Sequence, residues 1–372
     1  MTTTSMLRRA LLLLLSILVL LAPVSASAAG LPDAGTDGHG HATGPRVPHR
    51  LPAGRKVHTF APRVVDKAHL RASLSQPRIG YSVPGTPGSG PLTYGGGMVW
   101  DQGEASLAIL WLPPGYTVDA GYADTLNQYW YDLASQNPNQ QSPDVFSALT
   151  QYYDNFGAGN NYIHPNIYPY TGLYVATDPM PDTCSDPWFP HCVTDAQILQ
   201  EINAVITRVG WNYGLGNDMF MFLPQGVGEN NGPGNAFLHN FCAYHVYNSA
   251  GGPGGKEITY AVMPDAAASY PIGNNTWVTC DHGQRPNGTE ADATVSTWSH
   301  EFNEIFSDPT VGAGWTGPGG ENGDQCGWIF GPASGPAGAE YNQTIPGQWG
   351  PHNYYTQLEW SNASNGCVPY GT

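Results

Sequence analysis

His300, Glu301 and Glu304 hold the residue types and spacing in this chain best suited to catalysis. In the string His300-Glu-Phe-Asn-Glu304 the outer pair is four residues apart, so on a helix both project from one face. An imidazole and a carboxylate one turn apart can grip Zn²⁺ at about 2.0–2.2 Å. The order is that of H-E-x-x-H zinc sites with the second histidine replaced by glutamate. Glu301, turned by one residue, is placed to act as general base towards a metal-held water. A catalytic zinc also needs a third protein ligand. The glycine-rich stretch Gly320-Glu-Asn-Gly-Asp-Gln-Cys326 offers Glu321 and Asp324 as sources of it. Asp308 competes, although capping or turn duty suits it better. A glutamate ligand makes zinc a weaker Lewis acid, so the site suits a harder or more weakly bound ion. The bland reading is an exposed helix with ordinary charges. Against it, charged residues are only 11% of the chain, yet two of them, Glu301 and Glu304, meet here beside His300.

The elements that must position these groups are legible. Val295, Trp298, Phe302 and Ile305 form an apolar stripe, predicting a helix with one face in the core, capped by Asp292 and ended near Pro309. Leu107–Leu112 is a continuous apolar run closed by Pro113-Pro114, which predicts a buried strand. Residues 119–136 carry Tyr122, Leu126, Tyr129 and Leu133 at helical spacing. Thr194 and Gln197 form a capping box before a second amphipathic helix that stops at Gly210. Met219–Leu223 and Ile258–Met263 read as further strands. Strands alternating with long helices predict one α/β or α+β domain with a mixed sheet, zincin-like around the helix that carries His300.

Arg8-Arg9, the leucine-rich run from Ala10 to Leu21 and Ala26-Ser27-Ala28 predict a secretory signal peptide over residues 1–28. Residues 29–95 are rich in Gly, Pro, His and Arg and read as a basic flexible leader or propeptide, its histidines solvated. The acidic domain then covers 96–372. Of 13 Lys+Arg, ten precede residue 91, and the remaining three face 26 acidic side chains. Such a body excludes nucleic acid as a partner. It also gains little positive charge when its carboxylates protonate, which predicts tolerance of acid. No later segment is long enough for a membrane span, so the mature protein is expected to be secreted, with no membrane partner after signal cleavage. Six cysteines without CxxC spacing point to disulfides. Fifteen pairings are possible; Cys184–Cys192 is favoured, with Cys242–Cys280 and Cys326–Cys367 for the rest, unless one pair stays reduced.

His300-Glu-Phe-Asn-Glu-Ile-Phe-Ser-Asp-Pro309, Gly314-Trp315 and Glu321-Asn-Gly-Asp-Gln-Cys326 resemble the H-E-L-A-E-x-x-[ST]-[ND]-P and E-I-G-D-x-C signature of the EXORDIUM/phosphate-induced protein family and its bacterial secreted relatives. The resemblance extends through Cys242-Ala-Tyr-His245, Tyr260-Ala-Val-Met-Pro264 and Gln357-Leu-Glu-Trp-Ser-Asn362, and is dense after Phe241. Asn303 and Asn322 depart from the pattern without removing a ligand. The resemblance implies a secreted protein with a zincin-like helix and supports pairing Cys326 with Cys367; it implies no secure activity. Carried over, His300 and Glu304 are the ligand pair, Glu301 the base, and Asp324 or Glu321 the third ligand.

His239 and His245 flank Cys242 and read either as cleft residues or as ordinary hydrogen-bonded histidines. Tyr354, Tyr355 and Trp360 read as strand packing. The expected function is a secreted endopeptidase using one catalytic Zn²⁺ on polypeptide substrates, with the leader as an intramolecular propeptide. The alternative is a non-catalytic extracellular protein that binds cell wall or glycan and uses the metal structurally. An acid carboxylate peptidase ranks last, since no paired Asp-Thr-Gly motif occurs.

Overall fold

Leu107, Ile109 and Trp111 alternate with Ala108 and Leu110 along the predicted buried strand, and all five are at most 2% exposed. A strand apolar on both faces must be covered on both sides, and this requirement organises the molecule. The computed structural model describes residues 54–66, 90–100, 105–134, 144–156, 159–163, 172–347 and 350–371. In chain order the elements used below are β1 (Arg55–Phe60), β2 (Arg63–Asp66), β3 (Ala105–Trp111), α1 (Tyr122–Ala134), β4 (Tyr174–Ala176) and α2 (Asp195–Val209). They continue with β5 (Asn217–Phe222), β6 (Ala243–Gly252), β7 (Lys256–Met263), β8 (Ser269–Gly273), β9 (Thr276–Thr279), α3 (Ala291–Ser307), β10 (Glu359–Ser361) and β11 (Gly366–Val368).

The main sheet is six-stranded and mixed, in the order β1-β6-β7-β5-β3-β4. β3, β4, β5 and β7 run parallel, while β6 is antiparallel to both β7 and β1. On one face Leu107, Ile109, Met219 and Met221 pack against Ile198, Ile202 and Val205 of α2. On the other, Ala108, Phe220 and Phe222 pack against Trp130 of α1 and Trp298 and Phe302 of α3. The Trp130 and Trp298 rings stack at 5.0 Å. This is a mixed α/β architecture with smaller sheets beside the main one, among them β8-β9-β2.

Local chemistry explains the helix ends. Thr194 and Gln197 form the capping box at the start of α2, and Gly210 closes it at φ 73°, where a side chain would be strained. α3 departs from expectation in two ways. Its N-cap is Glu290; Asp292 lies in the first turn and accepts the Asn287 backbone N–H at 3.1 Å and its Nδ2 at 2.7 Å. All seventeen α3 residues are buried, not one face alone. Its polar side is covered by β1, β6 and the Glu321–Asp324 loop.

The leader also needs correction. Residues 55–66, expected to be flexible, form two strands: β1 pairs with β6 over six residues and β2 pairs with β9. Arg55 is 2.8 Å from Asp195, and the Arg63 guanidinium lies 4.8 Å above the Trp328 ring. Basic residues interspersed among the apolar ones hid the period-2 pattern, as is common on edge strands. Deleting residues 29–95 would therefore remove three paired strands, β1, β2 and the short Thr93–Tyr94 strand that pairs with Trp315–Thr316. The signal peptide and the other leader histidines (His39, His41, His49, His69) lie outside the described residues.

The cysteines pair as Cys184–Cys192, Cys242–Cys280 and Cys326–Cys367. The third ties the loop bearing Asp324 to β11. Such bonds fit an oxidising, extracellular setting. Among the described residues no helix is long and apolar enough to cross a membrane.

Candidate metal centre

Strand register begins the site. His58 on β1 lies directly opposite His245 on β6, so both side chains leave the same face of the sheet. Their rings are 5.5 Å apart. That face also carries Ala243 and Ala261, whose small side chains let α3 approach closely. α3 brings His300, Glu301 and Glu304 over the two strand histidines. The loop after it adds Glu321 and Asp324. Three histidines and four carboxylates thus share one buried cluster. His245, His300, Glu301 and Glu304 are fully buried, and Glu321 is 2% exposed. The cluster meets solvent at the side chains of His58 and Asp324, 21% and 18% exposed.

Glu304 stands at its centre. Its Oε1 lies 3.1 Å from His300 Nε2, and its Oε2 lies 3.5 Å from His245 Nδ1 and 3.8 Å from His58 Nε2. Asp324 places Oδ2 2.6 Å from His58 Nε2 and Oδ1 3.8 Å from His300 Nε2. Glu321 spans the two strand histidines, with Oε1 3.4 Å from His58 Nδ1 and Oε2 3.5 Å from His245 Nε2. Glu301 Oε2 is 3.0 Å from His245 Nδ1. Two sets of ligand atoms lie within 4.8 Å of one another: His58, Glu304 and Asp324, and His245, Glu301 and Glu304.

The donor set fits a divalent ion. Burying a carboxylate or imidazole without a partner is costly. Yet His245 Nε2, Glu301 Oε1, Glu304 Oε2 and Glu321 Oε2 are all buried and lack a hydrogen-bond partner. Donors around a tetrahedral ion with bonds of about 2.0–2.1 Å stand roughly 3.3–3.5 Å apart. Most of the separations above are close to that spacing.

Charge disfavours the cluster without a cation. Burial, then the charges of Glu304 and Asp324, raises the Glu301 pKa well above the usual carboxylate range. Glu321 is raised by burial and then by Asp308 and Glu304. Burial, followed by His58 and His300, lowers His245. Burial alone would lower His58 too, but Glu304 and Asp324 outweigh it and lift it to about 9. A divalent ion would relieve the carboxylates and hold the histidines neutral.

His300 differs from the simple expectation. Gln357 Nε2 lies 2.7 Å from its Nδ1 and donates to Gly323 O at 2.8 Å, while Gln357 Oε1 accepts the Trp328 backbone N–H at 3.3 Å. With the amide held this way Nδ1 is an acceptor, so the imidazole proton sits on Nε2 and faces Glu304. Ligation through Nε2 requires that amide to turn over. Gly323 matters here, because a Cβ on it would lie 2.5 Å from His300 Nδ1. Gly323→Ala is expected to cost about 1–3 kcal/mol of stability through overpacking; a denaturant midpoint unchanged from the parent would refute this.

Every expected site residue (His300, Glu301, Glu304, Glu321 and Asp324) lies in the cluster. His58 was missed, having been assigned to the leader, and His245 was left between two readings. The only sequence signal for His58 was its place in a short run with alternating apolar residues. Asp308 does turn duty, accepting the N–H groups of Gly312, Ala313 and Gly314. His239 stacks on Trp188 at 3.6 Å and pairs with Asp186. Tyr354 donates to Asp132, Tyr355 stacks on Phe330, and Trp360 is buried in the core. Comparison with known proteins finds no matching family model, no similar curated protein and no similar solved structure.

Proposed function

We propose that the chain is a secreted metal-dependent endopeptidase, zincin-like in placing an H-E-x-x-E helix beside a mixed sheet. The observation that carries this reading is the buried cluster itself. The atoms of His58, Glu304 and Asp324 lie within 4.8 Å of one another at the point where the cluster reaches solvent. These three would hold the Zn²⁺, with His300 joining them if the Gln357 amide turns over. The ion would supply polarisation of a water and of the scissile carbonyl.

The protein's own groups do the rest. Glu301 Oε1 is buried and without a hydrogen-bond partner, and it is the carboxylate left to accept the water's proton. Glu321 stands 3.4 Å from His58 Nδ1 and 3.5 Å from His245 Nε2, where its carboxylate would orient both rings. Membership of the EXORDIUM/phosphate-induced family belongs to this proposal and rests on the motifs from His300 to Cys326.

Chelation supplies the test. Dialysis against EDTA is expected to abolish cleavage of a broad peptide mixture, and added Zn²⁺ to restore it. Cleavage that persists at full rate after metal removal would end the reading. A second reading is favoured by the small exposure of the cluster, 21% at His58 and 18% at Asp324: a non-catalytic extracellular protein that binds glycan or cell wall and uses the metal structurally. Bound zinc with no cleavage across a pH series would select it.

A further inference from the structure

We propose that the cluster is a two-metal centre, in which a second divalent cation is held by His245 Nδ1, Glu301 Oε2 and Glu304 Oε2 and Glu304 bridges the two ions. This rests on the reading of the cluster as a metal centre and adds to it a second ion with its own ligands.

Three observations carry it. The His245 set is compact on its own terms, with His245 Nδ1 3.0 Å from Glu301 Oε2 and 3.5 Å from Glu304 Oε2. All three residues are fully buried. Glu304 is the member common to both compact sets, and its Oε2 faces the histidine of each, His245 Nδ1 at 3.5 Å and His58 Nε2 at 3.8 Å. One oxygen that faces a ligand of each ion is placed to bridge them, as a shared ligand does in two-metal hydrolytic sites with ions about 3.5–4 Å apart.

The other nitrogen of His245, Nε2, lies 3.5 Å from Glu321 Oε2 with no hydrogen bond between them, so Glu321 stands on the side from which a carboxylate could orient a ligating imidazole. Formal charge points the same way. Glu301, Glu304 and Glu321 are buried with Asp324 at their solvent edge, and one divalent ion offsets only half of these four carboxylates. Two offset them all with the histidines neutral. Glu301 then uses Oε2 for the second ion and keeps Oε1, which has no partner, for the proton.

The experiment is metal loading of the full purified chain, by Mn²⁺ titration after EDTA treatment and by elemental analysis after Zn²⁺ reconstitution. The expected result is two ions per chain, with exchange-coupled electron paramagnetic resonance from the Mn²⁺ pair. His245→Gln should lower the content from two to one and leave an uncoupled six-line Mn²⁺ signal. The spectrum of the parent protein stands even if that variant folds poorly. One ion per chain, or two without coupling, overturns the second site and leaves the single-ion peptidase intact. No bound ion at all overturns both.

Discussion

Replacing Glu301 by glutamine is expected to remove at least about 100-fold of kcat/KM for peptide cleavage while the fold is retained, since a positioned acid–base group contributes roughly 10²–10⁴-fold. Glutamine has nearly the same shape, and its amide can keep the contact that Glu301 Oε2 makes with His245 Nδ1 at 3.0 Å. What it loses is the capacity to take a proton. Nor should stability fall, because Glu301 is fully buried and its carboxylate is disfavoured there by burial and by Glu304 and Asp324. The check pairs a cleavage assay with thermal unfolding. A variant with full activity would remove Glu301 from the mechanism. A variant that loses activity only because it unfolds would show a lowered melting temperature and decide nothing about the base, so Glu301→Asp, which keeps the carboxylate, should recover part of the rate.

The second large effect concerns pH and lies away from the metal centre. Asp265 is 7% exposed, and burial together with Glu290 raises its pKa from the ordinary value near 4 to about 7. The folded state therefore keeps a proton that the unfolded chain gives up. Between those two values the folded state binds more protons, so stability must fall as pH rises and recover as pH drops. The contribution is complete below the unfolded value and lost by the time pH passes about 7. From pH 7 to pH 4 it amounts to about 3 kcal/mol. Glu201, raised to about 7 by burial and by Asp178, acts in the same sense.

His282 acts in the opposite sense. Burial lowers it to about 4, so protonation of the unfolded chain costs stability as pH falls below the ordinary histidine range. A difference measurement separates them. Relative to Asp265→Asn, the parent should gain about 3 kcal/mol between pH 7 and pH 4, read from denaturant unfolding at each pH. Parallel stability curves for parent and variant would refute the assignment. Such a gain would add buried protonated carboxylates to the scarcity of basic residues as a second source of the expected acid tolerance.

Much of the fold could be read in the sequence because local chemistry and tertiary demand agree there. The runs at 107–112, 219–223 and 258–263 mark β3, β5 and β7, since a strand covered on both faces is apolar at nearly every position. The Thr194–Gln197 box starts α2 because it satisfies backbone N–H groups without help from the rest of the chain. The cysteine pairing likewise matches the expected one.

The candidate site was half legible. His300, Glu301 and Glu304 could be found because a helix fixes which residues share a face over four positions, and the glycine-rich loop marked Glu321 and Asp324 as neighbours. Spacing along one helix carries no information about a strand 240 residues earlier. The pairing of His58 with His245 is a matter of register between β1 and β6, and register is set by which face of the sheet is buried. The state of His300 depends on Gln357, which reaches it from another segment. The sequence alone determined that an imidazole and two carboxylates would meet on one helix. Only the tertiary structure decided that two strand histidines would complete the cluster, because their approach depends on sheet pairing between distant segments.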